Sequence, residues 1–296
     1  MNKKNIVFII NPISGTGGYK MVEEAISKVL NQEKFEPVIE YTKYKGHASE
    51  IAREYSLKQF DYIISVGGDG TLNEVVNGMI DSNATLGIIA TGSGNGLARH
   101  LKISTTPHKA IEVINDEHVE QIDTVSLNDH RFISIAGVGF DALVAHLFSL
   151  SETRGFKTYA KIAIKQFFNY KSKKYSLQFP NKIKIKRAFF ITFANSSQWG
   201  YNTKISPTAS LNDGMVDVCI FKKPSFLKAL LLVPYLFSNK IDRSNQVKII
   251  KTSEVIITRP NGKKMYIHID GDDAKKQKAV HIKVHPLSLK VLTPKI

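Results

Sequence analysis

The stretch Tyr62-Ile63-Ile64-Ser65-Val66-Gly67-Gly68-Asp69-Gly70-Thr71-Leu72-Asn73-Glu74-Val75-Val76-Asn77-Gly78 decides how the chain folds. It begins as a short apolar run of strand length and passes into a glycine-rich loop. Leu72, Val75, Val76 and Met79 then recur at helical spacing. The same order of strand, glycine loop and helix appears on either side. Residues 85–90 run into Thr91-Gly92-Ser93-Gly94-Asn95-Gly96. Residues 6–11 run into Asn11-Pro12-Ile13-Ser14-Gly15-Thr16-Gly17-Gly18, with Val22, Ala25, Ile26, Val29 and Leu30 as the next helical stripe. Residues 35–42 read as a further strand, and Ala48, Ile51, Ala52 and Tyr55 as a further helix. Apolar strands alternating with helices predict a parallel sheet covered on both faces. Ligands of such sheets bind at the carboxyl ends of the strands, and all three glycine loops fall there.

From about residue 126 the texture changes. Short strands are expected over 131–137, 175–179, 187–195, 215–221, 255–258, 264–269, 280–284 and 288–292. Turn signals such as Asn212-Asp213-Gly214 and Pro260-Asn261-Gly262 separate many of them. Helices are expected over 156–170 and 225–237. The fold class is therefore an α/β N-terminal domain with a parallel sheet, residues 1–125. A C-terminal, mainly antiparallel β domain follows over residues 126–286.

Composition supports this and excludes several classes. The chain has 296 residues, 43% hydrophobic and 23% charged, which suits a globular protein with a substantial core. A single cysteine, Cys219, rules out an internal disulfide framework or a thiolate zinc cluster. The greasiest run, from Ala229 to Phe237, contains Pro234 and is far shorter than the ~20 residues of a spanning helix. The first residues lack a long apolar signal region, so a soluble cytoplasmic protein is expected. Charge is divided unevenly: residues 1–125 hold 12 Lys and Arg against 16 Asp and Glu, and the remainder 29 against 10. The second part thus faces something anionic, either a membrane surface or nucleic acid. No nucleic-acid reading motif accompanies the charge, so nucleic acid ranks last. The histidines, His47, His100 and His268 among them, show no triad or zinc spacing.

Glycine loops after buried strands let backbone N–H groups approach phosphates, and a following helix adds a favourable dipole. None of the three is a Walker A sequence or a full dinucleotide fingerprint. Asp69 places a carboxylate inside one loop, suited to an ion or hydroxyl beside a polyphosphate, or to capping its own helix.

The run from Gly67 to Gly78 strongly resembles the signature of the diacylglycerol kinase catalytic domain superfamily, which includes bacterial soluble lipid kinases and the sphingosine and ceramide kinases. Further landmarks follow in order: Asn11-Pro12-Ile13-Ser14-Gly15, Thr42 ahead of Gly46-His47-Ala48, and Gly92-Ser93-Gly94-Asn95. Later come Ala136-Gly137-Val138-Gly139-Phe140-Asp141, Leu211-Asn212-Asp213-Gly214 and Asp270-Gly271-Asp272. The resemblance spans essentially the whole chain. Gly-Gly-Asp-Gly-Thr alone also occurs in NAD kinases, but the continuation through Asn73-Glu74 and the later landmarks set this chain apart.

The resemblance implies a C-terminal β-sandwich, an active site in the cleft, and a final strand, residues 287–296, returning to the first domain. It implies ATP held by Asn11, Pro12, Ile13, Ser14, Gly15, Thr42, Gly68, Asp69, Gly70, Thr71, Leu72, Asn73, Glu74 and Ser93, with Asn95 in support. The reaction implied is transfer of the ATP γ-phosphoryl group to a lipid hydroxyl with Mg²⁺. Diacylglycerol is the default acceptor, and sphingoid bases, ceramide or phosphatidylglycerol are the alternatives. The family's base comes from an Asp-Gly-Glu motif. Here the third residue is Asp272, shorter by one C–C bond of about 1.5 Å. The base role is accordingly divided between Asp272 and Asp270, with Asp123 as a supporting carboxylate; without the resemblance, an acidic hairpin turn explains the same residues. A nucleotide-binding membrane sensor without turnover stays open for the same reason. A loop resembling the family's second Mg²⁺ site would use the Asp213 carboxylate and the Ser210 and Met215 carbonyls, although a simple β-turn also explains it. The family includes dimers, so the resemblance leaves a homodimer open, with the oligomeric state undetermined by sequence.

A membrane-resident acceptor requires docking. Lys157, Lys161 and Lys165 lie at i, i+4 spacing beside an apolar stripe of Phe156, Ala160, Ala163 and Phe167, the pattern of an interfacial helix. Lys171, Lys173, Lys174, Lys182, Lys184, Lys186 and Arg187 extend the basic patch. The alternative is that the phenylalanines pack into the β domain. The helix over 225–237 could likewise be core or a wall of an acyl pocket.

Overall fold

A computed structural model of the chain describes residues 3–15, 18–153, 155–200 and 203–295. In chain order the first elements are β1 (Lys4–Ile10), α1 (Tyr19–Val29), β2 (Phe35–Tyr41), α2 (His47–Leu57), β3 (Tyr62–Gly67), α3 (Asp69–Gly78) and β4 (Thr85–Ala90). Next come α4 (Gly96–His100), α5 (Pro107–Asp116), β5 (Val119–Leu127), β6 (His130–Phe132), β7 (Ile135–Gly139), α6 (Phe140–Ser149) and α7 (Phe156–Asn169). After them lie β8 (Lys173–Phe179), β9 (Lys182–Ala188), β10 (Phe190–Ala194), β11 (Gln198–Gly200), β12 (Thr203–Lys204), β13 (Val216–Phe221) and α8 (Phe226–Phe237). The last strands are β14 (Val247–Thr252), β15 (Glu254–Thr258), β16 (Met265–Ile269), β17 (Asp272–Gln277) and β18 (Ala279–Leu292).

The chain divides into two compact units. The first runs to Thr124, takes in Gly200 and resumes at Pro286; the second runs from Val125 through Trp199 and from Thr203 through His285.

In the first unit β2, β1, β3 and β4 pair in that order, all parallel, and the end of β18 joins β4 in parallel through Val291 and Leu86. β3 and β4 are buried along their whole length, as their unbroken apolar sequences require. α1 packs with α5 and α2 with α3, the pairing that right-handed crossovers produce when helices cover both faces. Each helix turns its predicted stripe inward: Val22, Ala25 and Ile26 on α1, and Leu72, Val75 and Val76 on α3 are buried.

The second unit is an antiparallel sandwich. One sheet has the order β14-β13-β10-β7-β16-β17. The other pairs the beginning of β18 with β15, β15 with β8, and β8 with β9. Alternate residues of both sheets meet in one core, including Val138, Ile191, Phe193 and Val218 opposite Tyr175, Leu177, Val255 and Ile282. Burying such side chains contributes about 1.5–3 kcal/mol each.

Several elements depart from the sequence expectation. The lysine-rich residues 182–188 form strand β9, and 272–277 and 247–252 are strands as well. Residues 140–149 are helical. The two strands expected at 280–284 and 288–292 are one element, β18, which continues across Pro286. Leu287 there has φ +48°, and its N–H donates to Asp123 Oδ1 at 2.8 Å. Asp123, fully buried, therefore secures the bend in β18.

Candidate active site

In the first unit, chain ends from four parallel strands converge because each strand stops at the same edge of the sheet. The Asn11 N–H donates to the Val66 carbonyl, Thr42 to Ile10, and Thr91 to Gly67, at 2.9–3.0 Å. Asn11 Nδ2 donates to Thr71 Oγ1 at 3.0 Å, and Ser14 Oγ and Thr91 Oγ1 share a hydrogen at 2.7 Å. Glu74 Oε1 accepts the Gly46 N–H at 2.8 Å, tying the loop after β2 to α3. The residues expected around ATP, from Asn11 to Gly15, Thr42, Gly68 to Glu74 and Ser93, thus lie on loops and helix starts at one edge of the sheet. Leu72 faces the core, whereas Ile13 is exposed.

Asp69 does not cap its own helix with its side chain. Its Oδ2 accepts the Asn95 N–H and its Oδ1 the Gly96 N–H, both at 2.8 Å, so it fastens the loop after β4 to the start of α3. Burial pushes the Asp69 carboxyl above its usual range, opposed by these backbone donors and by Arg99. The start of α3 has no side-chain cap, and two glycines lead into it. That leaves first-turn backbone donors suited to an anion. Asn95 Oδ1, buried beside this loop, has no hydrogen-bond partner. A Cβ at Gly92 would lie 2.6 Å from the Gly68 Cα and 2.9 Å from Asn95 Oδ1, so the two glycine loops touch backbone to backbone. The outcome expected for Gly92→Ala is therefore a displaced loop and nucleotide affinity at least about ten-fold weaker, about 1.4 kcal/mol, in equilibrium titration. Unchanged affinity would disconnect this contact from nucleotide binding.

In the second unit the Asp270-Gly271 pair is the two-residue turn of the β16–β17 hairpin, with Ile269 paired to Asp272. Both turn residues have positive φ, +47° and +90°, the conformation of the tight hairpin turn that Asp-Gly favours. The Asp270 carboxylate accepts the N–H groups of Ile133, Ser134 and Ile135 at 3.3, 3.0 and 2.9 Å. Most of its lone pairs are therefore engaged with backbone donors. Asp272 begins β17 with its side chain exposed. Asp273 pairs instead with His146 Nδ1 at 2.9 Å.

Behind the hairpin, Asp141 and His268 form a buried pair that sequence spacing did not disclose. His268 Nε2 lies 3.1 Å from Asp141 Oδ2, Thr192 Oγ1 donates to that oxygen at 3.2 Å, and the Ala142 N–H donates to Oδ1 at 2.8 Å. Gly137 is required there, since a Cβ would come within 2.4 Å of His268 Nε2 and 2.5 Å of Asp141 Oδ2.

The loop expected to bind a second Mg²⁺ is otherwise engaged. Asp213 Oδ2 is 2.7 Å from Lys251 Nζ, its Oδ1 accepts the Met215 N–H at 3.1 Å, and Ser210 Oγ donates to Asn212 at 2.7 Å. Lys251 also lies 3.7 Å from Asp217 Oδ1. One carboxylate already paired with an ammonium is a poor donor set for a hard dication, which needs six or more oxygens. Asp217, an acidic residue inside the apolar strand β13, was the visible signal, whereas its partner Lys251 is set by strand register.

Of the expected interfacial stripe, Phe167 packs inward against Phe140, Phe189 and Phe226, with ring centroids 5.7–6.4 Å apart. Ala160 and Ala163 are half-buried, and the Phe156 side chain lies outside the described residues. The exposed apolar residues instead include Ile164 and Phe168 on α7, and Leu227, Leu230, Leu231 and Phe237 on α8. Phe168 meets Phe226 at 5.2 Å, so the two helices adjoin. Cys219 is fully buried, and burial pushes its thiol up, which makes it inert.

Comparison with known proteins agrees with this fold. Residues 5–127 match the family model described as the diacylglycerol kinase catalytic domain, and residues 134–293 match the YegS C-terminal NAD kinase beta sandwich-like domain. A diacylglycerol kinase of Bacillus subtilis (strain 168) is 30% identical over 276 residues, covering 91% of this chain and 90% of its own length. One from Staphylococcus haemolyticus is 26% identical over 97% of this chain and 87% of its own. A crystal structure of a diacylglycerol kinase from Bacillus anthracis (strain Sterne) superposes with a TM-score of 0.74 at 19% identity, over 99% of this chain and 98% of that one, a likeness of fold.

Proposed function

This chain belongs to the diacylglycerol kinase catalytic-domain family, and we propose that it transfers the γ-phosphoryl group of ATP to the hydroxyl of diacylglycerol, forming phosphatidic acid. The observation that carries the reading is the junction of glycine loops fastened by Asp69, beside the uncapped start of α3. Phosphoryl transfer passes through a loose, anionic transition state, so positioning and charge stabilisation dominate. The backbone donors after β3 and β4 would receive the phosphates, with Asn11, Ser14, Thr71 and Ser93 shaping the rim. Among the described residues no group of three or more His, Cys or acidic side chains is placed to hold a metal ion. Magnesium would be carried by the nucleotide and would neutralise its phosphate charge. Asp272 would accept the proton of the acceptor hydroxyl, and Asp270 would hold the hairpin that presents it.

Among the described residues no helix is long and apolar enough to cross a membrane, so a lipid substrate calls for a docking surface. We assign this role to the exposed α7–α8 face, apolar at Ile164, Phe168, Leu227 and Leu231 and rimmed by Lys157, Lys161, Lys165 and Lys228. Anionic bilayers are its occupant, because each lysine near such a surface contributes ~1 kcal/mol. Leu227→Ser with Leu231→Ser is expected to weaken co-sedimentation with phosphatidylglycerol-containing vesicles by about ten-fold or more, from lost apolar burial. ATP affinity should stay unchanged. Equal binding of variant and parent to those vesicles would remove this face from the reading.

A further inference from the structure

We infer that Lys251 is a built-in cation: its ammonium takes the place that a divalent metal would occupy beside the 210–215 loop, so that this loop is held without metal. The pairing of β13 with β14 sets Lys251 directly opposite Asp217. Asp217 is 2% exposed, and Ser206 Oγ donates to its Oδ2 at 2.5 Å. A carboxylate so buried needs a compensating positive charge. Lys251 Nζ supplies it from 3.7 Å, while lying 2.7 Å from Asp213 Oδ2 and 3.3 Å from the Thr208 carbonyl. Three oxygens from β13, the 210–215 loop and the segment before it therefore converge on one charged nitrogen, as they would on a bound cation. A dication entering there would meet the ammonium as a like charge and would find Asp213 already engaged. Strand register fixes the Lys251 backbone opposite Asp217, within reach of all three oxygens.

Mn²⁺ binding to the full nucleotide-free chain, read by electron paramagnetic resonance, tests this, with thermal unfolding in EDTA or Mg²⁺ as the second readout. The parent is expected to show no site that Asp213→Asn removes, and the same unfolding midpoint in both solutions. Lys251→Met should gain a site at least about ten-fold tighter than any in the parent at this loop, lost again on adding Asp213→Asn. Its unfolding midpoint should be lower in EDTA and recover in Mg²⁺. Lys251→Arg, which keeps the charge, should behave like the parent. A parent Mn²⁺ site abolished by Asp213→Asn overturns the inference, as does a folded Lys251→Met chain that gains no Asp213-dependent site. Should Lys251→Met not fold, the parent titration alone decides. These readouts do not involve phosphorylation, so they stand or fall apart from the acceptor lipid.

Discussion

Asp272→Asn is expected to lower label transfer from γ-labelled ATP into diacylglycerol by about 10²–10⁴-fold, the usual contribution of a general base. Its unfolding midpoint should stay within a degree or so of the parent, because the side chain is exposed at the start of β17. Asp272→Glu, which restores the length found in the family's motif, should retain or raise activity. Asp270→Asn is expected to behave differently. Its carboxylate accepts three backbone N–H groups, and an amide in its place turns a donor toward at least one of them. The loss of stability should be about 1–3 kcal/mol, the penalty of leaving buried polar groups unmatched. Activity and thermal unfolding measured on both variants separate the roles. A folded, inactive Asp270→Asn beside an active Asp272→Asn would transfer the base role to Asp270.

Asp141→Ala should destabilise the chain by about 3–5 kcal/mol, since it leaves His268 and Thr192 buried without their shared acceptor. Domains are typically stable by only 5–15 kcal/mol, so this one change removes a large fraction of the second unit's margin. Asp141→Asn keeps an oxygen in place and should lose less. Urea unfolding followed by circular dichroism gives both values, and a loss under about 1 kcal/mol for the alanine variant would show that the pair is not a structural anchor.

The first unit was legible as far as Gly96, because local pattern and tertiary role coincide there, whereas α5 and β5 carried no expectation. The apolar run of β3 must be buried on both faces, its glycine loop must lie at the sheet edge, and the stripe after Leu72 can only be a helix on that sheet. The role of Asp69 was less legible. Local logic made it a cap for its own helix, whereas the partners it holds, Asn95 and Gly96, follow the next strand. In the second unit the pattern misled where surface chemistry masked backbone pairing. β9 alternates lysine with isoleucine on an exposed edge, so its charge reads as a basic patch. β18 turns at Leu287, whose N–H donates to Asp123 164 residues away, and so resembles two strands. The Asp141–His268 pair and the Lys251 contacts depend on sheet register, which spacing along one chain does not encode. At 270–272 the structure bears out the hairpin-turn reading, with Ile269 paired to Asp272, and the activity of the Asp272 and Asp270 variants tests the base reading.

The most direct test of the assigned reaction is incorporation of label from γ-labelled ATP, with Mg²⁺, into a panel of lipids in mixed micelles containing anionic lipid. The panel holds diacylglycerol, monoacylglycerol, sphingosine, ceramide and phosphatidylglycerol. Label is expected in phosphatidic acid from diacylglycerol, lost with Asp272→Asn. Label confined to another lipid would contradict the acceptor, and no label in any of them, with ATP still bound, would contradict turnover itself.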